Sequence, residues 1–163
     1  MHITIYTDGS AIGNPGPGGY GVVLMAGQHR KELSQGYRLT TNNRMELMAV
    51  IVGLEALKNP KSTVTVFTDS QYVVNAVEMK WVFGWEKKKF AGKKNGDLWK
   101  RFLTVYRCHF VTFEWVKGHA GNRENERCDY LATIAAQSPQ LLEDTEYVTL
   151  QISPEKVENR INF

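Results

Sequence analysis

The chain has 163 residues, 42% hydrophobic, 11% aromatic and 23% charged, which fits a single domain around one core. No apolar run approaches the roughly 20 residues that span a bilayer. Met1-His2-Ile3-Thr4 lacks the basic region and apolar stretch of a signal peptide. Two cysteines, Cys108 and Cys128, lie outside any CxxC pair, which argues against a disulfide framework and suits a reducing cytoplasm. The net charge of +3 is unevenly spread: residues 79–101 hold eight basic side chains against Glu86 and Asp97, a net of +6, so the other 140 residues sum to −3. Such a segment reads either as a polyanion-binding patch or as a solvated, lysine-rich helix pair.

In chain order, Ile3 to Thr7 alternates as a β-strand that ends at Asp8. Residues 9–19, with five glycines and two prolines, read as a loop. Tyr20 to Met25 is a second strand, Gly27-Gln28 a hairpin turn and Arg30 to Leu39 a third strand. Thr40 to Asn43 offers helix caps, and Met45, Met48, Ile51, Val52, Leu54 and Leu57 recur at helical spacing until Asn59-Pro60. Thr63 to Thr68 is a fourth strand running into Asp69, and Ser70 caps the next helix. The basic segment, helical at both ends, leads into a helix over 97–106 and a fifth strand over 111–116. A Gly-containing loop at 117–122 and a helix over 124–137 follow, with Ser138-Pro139 as its stop. The acidic tail, 138–163, has weak strand character at Tyr147 to Leu150.

Three strands, a helix, a strand, helices, a strand and a helix imply an α/β fold with a mixed sheet flanked by helices. A right-handed crossover places the strand leading to Asp69 parallel to, and beside, the strand leading to Asp8. Both aspartates then stand where open α/β sheets hold ligands.

A lone Asp after a strand is ordinarily a turn former or helix cap. Two similar endings, Thr7-Asp8-Gly9-Ser10 and Thr68-Asp69-Ser70, on adjacent strands favour a shared site instead. Glu46 and Asp129, each within a helix among apolar residues, face either solvent or a partner, because an unpaired buried carboxylate is very costly. Crowded carboxylates need compensation. All-oxygen ligands favour Mg²⁺ or Mn²⁺, and two such ions about 4 Å apart can activate water at a phosphodiester. A zinc site from Cys108, His109, His119 and Cys128 matches no common ligand spacing. His2, His29 and His109 read as ordinary surface or loop histidines.

Six ordered blocks sharpen this reading. Tyr6 to Ser10, Gly13 to Gly21, Thr41 to Leu47, Thr68 to Val73, Trp115 to His119 and Asn125 to Asp129 together resemble bacterial type 1 ribonuclease H over residues 1–137. The resemblance implies a ribonuclease H-like fold: a five-stranded mixed sheet, three antiparallel strands then two parallel. It implies a catalytic Asp8, Glu46, Asp69 and Asp129 set holding two Mg²⁺ ions, with Mn²⁺ as an alternative. His119, in a loop beside the site, would transfer a proton to the leaving group or aid product release. The substrate would be an RNA–DNA hybrid cut in its RNA strand, leaving 3′-hydroxyl and 5′-phosphate ends. Asn14, Asn42, Asn43 and Gln71 would meet the minor groove and its 2′-hydroxyls. Thr41 and Arg44 would hold a DNA phosphate. Trp81, Trp85, Lys87, Lys88 and Lys89 would belong to a basic protrusion, about 80–96, gripping the DNA strand. At least one of the two tryptophans, spaced i, i+4, should pack on the body instead.

The sequence departs from the family pattern in a shorter protrusion, in Glu86 where a basic residue is expected, and in the tail, whose order and partner are open. The implied protein is a cytoplasmic monomer without membrane association. The competing readings are a different metal nuclease of the same fold, which need not carry Asn42-Asn43-Arg44-Met45-Glu46, and a catalytically weak hybrid-binding module, which need not carry all four carboxylates. A general basic nucleic-acid binder fits the −3 charge outside the protrusion poorly.

Overall fold

A computed structural model of the chain describes residues 2–118 and 121–150. Strands β1 (His2–Ala11), β2 (Gly16–Ala26) and β3 (His29–Thr40) form an antiparallel meander. Helix α1 (Asn42–Glu55) leads to β4 (Thr63–Thr68), then α2 (Gln71–Glu78), α3 (Trp81–Lys87), α4 (Gly96–Tyr106), β5 (Phe110–Trp115), α5 (Arg123–Ala136) and α6 (Thr145–Leu150). The sheet order is β3-β2-β1-β4-β5, with β4 parallel to β1 and β5 parallel to β4. The predicted mixed sheet and the parallel β1–β4 pair are both present. Among the described residues no helix is long and apolar enough to cross a membrane.

Alternation along β2 assigns the two faces of the sheet. Val22 packs towards Gly53 of α1, whereas Gly21 abuts the α5 backbone. On the α1 face, Ile5, Val22, Leu47, Val50, Ile51, Leu54, Val64 and Val66 join Trp99 and Phe102 of α4 in the core. Trp99 is the largest side chain fully buried.

Three local expectations are corrected. Strand β1 runs three residues past Asp8, and β2 starts at Gly16. The glycine-rich run is thus largely paired strand, with Ser10 opposite Gly19 and Ala11 opposite Gly18. Glycine is needed there for close approach rather than for a loop: a Cβ on Gly19 would sit 2.6 Å from the Ala132 carbonyl oxygen, and one on the neighbouring strand residue Gly21 2.3 Å from that of Cys128. Lastly, Tyr147 to Leu150 is helical, because α6 starts one residue after Asp144, whose carbonyl accepts from the Val148 amide at 2.9 Å.

Gly21→Ala should therefore push α5, and Asp129 with it, away from the sheet. The expected cost is about 1–3 kcal/mol, read from denaturant unfolding, together with reduced activity. An unchanged midpoint would contradict the close packing of α5 on β2.

Candidate metal centre

The site is built where β1, β4 and α1 converge. Parallel pairing carries Thr7 opposite Thr68, so the next residues, Asp8 and Asp69, emerge side by side. Asp69 occupies the turn between β4 and α2. That turn is fixed by the Ser70 amide donating to Thr68 Oγ1 (3.1 Å) and by Ser70 Oγ capping the Val73 amide (3.2 Å). The Trp115 indole N–H donates to the Asp69 carbonyl oxygen at 3.1 Å, a positioning contact to which no role was assigned from the sequence.

Glu46 reaches the same point because Gly9 has no side chain. A Cβ there would lie 2.3 Å from the Met45 carbonyl carbon, so glycine allows the first turns of α1 to settle against β1. The Gly9 amide then donates to both Asp8 Oδ1 (2.9 Å) and Glu46 Oε1 (2.5 Å). One backbone N–H thus serves two carboxylates.

Asp8, Glu46 and Asp69 each offer an oxygen within 4.8 Å of the others. Asp129, on α5, is outside that tight group, but its charge adds to the strain on Asp8. Burial is the main reason the Asp8 carboxyl is pushed up to about 7, with Asp69 and Asp129 adding repulsion and Glu46 and the Gly9 amide opposing it. Burial and the charges of Asp8 and Asp69 likewise hold Glu46 well above the usual carboxylate range.

Such a cluster fits hard divalent cations. The donors are all oxygens. Asp69 Oδ1 is buried with no hydrogen-bond partner among the described residues, an unusual state for a carboxylate unless a ligand completes it. His119 lies outside the described residues.

The other candidates divide into three groups. Asn14, Thr41, Asn42 and Asn43 line one groove together with Pro15, Lys93, Lys94, Asn95 and Tyr147. Asn14 Oδ1 accepts from the Asn42 amide at 3.0 Å, and Asn42 Oδ1 from the Ala11 amide. Thr41 is the N-cap of α1, accepting from the Arg44 amide. Gln71 is exposed at the start of α2, two residues after Asp69. On the protrusion, Lys87, Lys88 and Lys89 are exposed and Trp81 is half exposed, at 50%. Trp85 packs edge-on to Trp99, with centroids 5.9 Å apart, so it is the packing member of the pair. Glu86 accepts from Arg107 with both oxygens, at 2.7 and 2.6 Å, tethering α3 to the end of α4.

Arg44 requires a correction. It is 1% exposed, with its guanidinium enclosed by Asp97, Asp144 and Asn95 rather than presented to a phosphate. Asn95, Asp97, Asp144 and Tyr147 were not singled out as site residues from the sequence. Isolated acidic or amide residues carry no local signal of a partner 50 or 100 positions away.

The pH dependence of the metal-free protein follows from the raised carboxyls. Ordinary carboxylates titrate near 4 in the unfolded chain, whereas folded Asp8 titrates at about 7. The folded state therefore holds the proton more tightly. This stabilising contribution is complete below about pH 4 and is lost as pH rises to about 7. Asp8→Asn removes one of the crowded charges, so it should raise the melting temperature of the metal-free protein at pH 7 by about 3 °C or more, with a smaller gain at pH 4–5. No gain at pH 7 would contradict the crowding.

Known proteins with this geometry agree in family. Residues 1–137 match the family model described as RNase H. A ribonuclease H from Desulforamulus reducens is 59% identical over 144 residues, covering 85% of this chain and 90% of that protein. Among solved structures, LC9-RNase H1, described as a type 1 RNase H with the type 2 active-site motif, superposes with a TM-score of 0.77 at 30% identity, covering 98% of this chain and 84% of that one. LC11-RNase H1, solved in complex with an RNA/DNA hybrid, gives a TM-score of 0.61 at 28% identity, covering 83% of this chain and 96% of that one. On the strength of the family match and the 59% identity, this chain belongs to the ribonuclease H family.

Proposed function

We infer that the protein is an endoribonuclease that hydrolyses the RNA strand of an RNA–DNA hybrid with divalent metal ions. The observation that carries the chemistry is the close Asp8–Glu46–Asp69 cluster, in which a buried oxygen of Asp69 has no hydrogen-bond partner among the described residues. Asp8, Glu46, Asp69 and, from α5, Asp129 would hold two Mg²⁺ ions, with Mn²⁺ an acceptable substitute. Bound divalent ions supply an activated water at neutral pH and neutralise charge at the scissile phosphate. The products are then a 3′-hydroxyl and a 5′-phosphate. His119 would serve the leaving group or product release.

The rest of the chain binds and orients the duplex. The groove amides of Asn14, Asn42 and Asn43, with Gln71 beside Asp69, can donate to and accept from 2′-hydroxyls in a wide, shallow minor groove. Thr41 lies at the same edge. Exposed Lys87, Lys88 and Lys89, with Trp81 alongside, suit the DNA strand, since phosphate contacts position a duplex without reading its sequence. Trp85 supports that surface from beneath. The two free cysteines, Cys108 and Cys128, suit a monomer working in a reducing cytoplasm.

The discriminating experiment offers matched RNA–DNA, RNA–RNA and DNA–DNA duplexes with Mg²⁺. Cleavage of the RNA strand of the hybrid alone is expected. Equal cutting of DNA–DNA would overturn the substrate assignment.

A further inference from the structure

The buried guanidinium of Arg44 joins three segments of chain that are far apart in sequence. Its Nε donates to Asp144 Oδ2 (2.7 Å), and Nη2 to Asp144 Oδ1 (2.9 Å) and Asp97 Oδ2 (2.8 Å). Nη1 donates to Asp97 Oδ1 (2.9 Å) and Asn95 Oδ1 (3.3 Å). All five guanidinium donors are therefore used. The Thr40 hydroxyl also donates to Asp144, at 2.8 Å.

Asp144 is the unexpected member, because it belongs to the segment after residue 137, beyond the residues that the family model matches. That segment reaches the site by a short parallel bridge to the sheet edge. The Leu142 amide donates to the Gly36 carbonyl (3.0 Å), and the Arg38 amide to the Leu142 carbonyl (2.9 Å). Asp144 follows at 5% exposure, and α6 then brings the Tyr147 ring centroid to 5.8 Å from the Arg44 guanidinium carbon. Tyr147 lines the groove shared by Asn14, Asn42, Asn43 and Asn95.

Arg44 directly follows Asn42 and Asn43 in the first turn of α1. Asn95 lies in the left-handed region at φ 64°, just before α4. Its other side-chain atom, Nδ2, donates to the Tyr72 hydroxyl at 3.0 Å, which also accepts from Trp99 Nε1 at 2.9 Å. The two walls of the groove are thus held in register by one side chain, and that side chain is held by Asp144. Asp97, at 23% side-chain exposure against 5% for Asp144, is the more solvent-screened partner.

We propose that Asp144 is a positioning residue for substrate: acting through Arg44, it fixes the spacing between the Asn42–Asn43 wall and the Asn95 wall, with Tyr147 completing the groove. This rests on the hybrid-cleaving function inferred above. Loss of binding that ground and transition states share raises KM and leaves kcat unchanged, and the Asp8–Glu46–Asp69 cluster makes no hydrogen bond to this network among the described residues.

The test uses full-length Asp144→Asn, which keeps the shape and removes the charge. Steady-state cleavage of a hybrid with Mg²⁺ should show KM raised about tenfold with kcat within about twofold of wild type. In an Asp8→Asn background, hybrid affinity by fluorescence anisotropy should fall by a similar factor. A purely structural role would instead lower kcat in proportion to the unfolded fraction and leave KM unchanged. Folded Asp144→Asn with KM and affinity within twofold of its parent overturns the proposal. Should that variant not fold at the assay temperature, Arg44→Met with Asp144→Leu replaces the buried pair by apolar packing, and the same rise in KM is expected. An unchanged KM in the folded double variant likewise overturns it. Wild-type protein that neither binds nor cuts the hybrid would refute the underlying function, a separate result.

Discussion

Electrostatic repulsion among buried carboxylates is the constraint around which this fold is arranged. Asp8 and Glu46 are nearly removed from water, and Asp69 and Asp129 add like charge nearby. Left alone, such a group relieves itself by binding protons. The scaffold permits the crowding because three independent elements hold its members: the interior of β1, the turn closing β4, and the second turn of α1. The Gly9 amide offers one hydrogen-bond donor to two of the carboxylates, but a dipole cannot neutralise several charges. The cluster therefore remains poised for a cation, and its cost to the metal-free fold is the reverse side of that affinity. Stability is given up at a functional site, as is common where preorganised charge is required.

Elsewhere, charges are matched, and the degree of burial sets what the matching does. The pairs Arg107–Glu86 and Arg101–Glu55 are well exposed and contribute little stability individually. They orient helices: Glu86 ties the base of the protrusion down, while Lys87, Lys88 and Lys89 are exposed. Arg44 is the opposite case. Fully desolvated, it is tolerable only because every donor is satisfied, and removal of a partner would leave a buried charge unmatched. This links the C-terminal segment to the groove lined by Asn14, Asn42 and Asn43.

Much of this was legible in the sequence, for reasons that can be traced to individual residues. The alternation before Asp8 and before Asp69, and the crossover between them, fixed their proximity, because handedness leaves few other arrangements. The run Thr40 to Asn43, in which Thr41 is the cap, and Ser70 announced the starts of α1 and α2 by their capping chemistry. Residue chemistry left Glu46 and Asp129 open, and only the ordered family blocks assigned them. The extent of β1 and β2 was hidden because glycine signals a turn and a close approach equally well, and only packing against α5 distinguishes them. The direction of Arg44 was hidden too. An arginine beside Asn42 and Asn43 reads naturally as a phosphate ligand, and its partners, Asp97 and Asp144, lie 53 and 100 residues away. Thr145 to Leu150 is helical although its local pattern reads as weak strand, and the start of that helix follows Asp144, whose burial local pattern does not encode.

Divalent-metal binding is what the crowded carboxylates are arranged for. Calorimetric titration of the substrate-free protein with Mg²⁺ at neutral pH tests it most directly, with Asp8→Asn and Asp69→Asn titrated alongside. Saturable binding to the wild-type protein is expected, lost or greatly weakened in both variants while they remain folded. Binding of equal affinity in all three proteins, or none to the wild type, would contradict it.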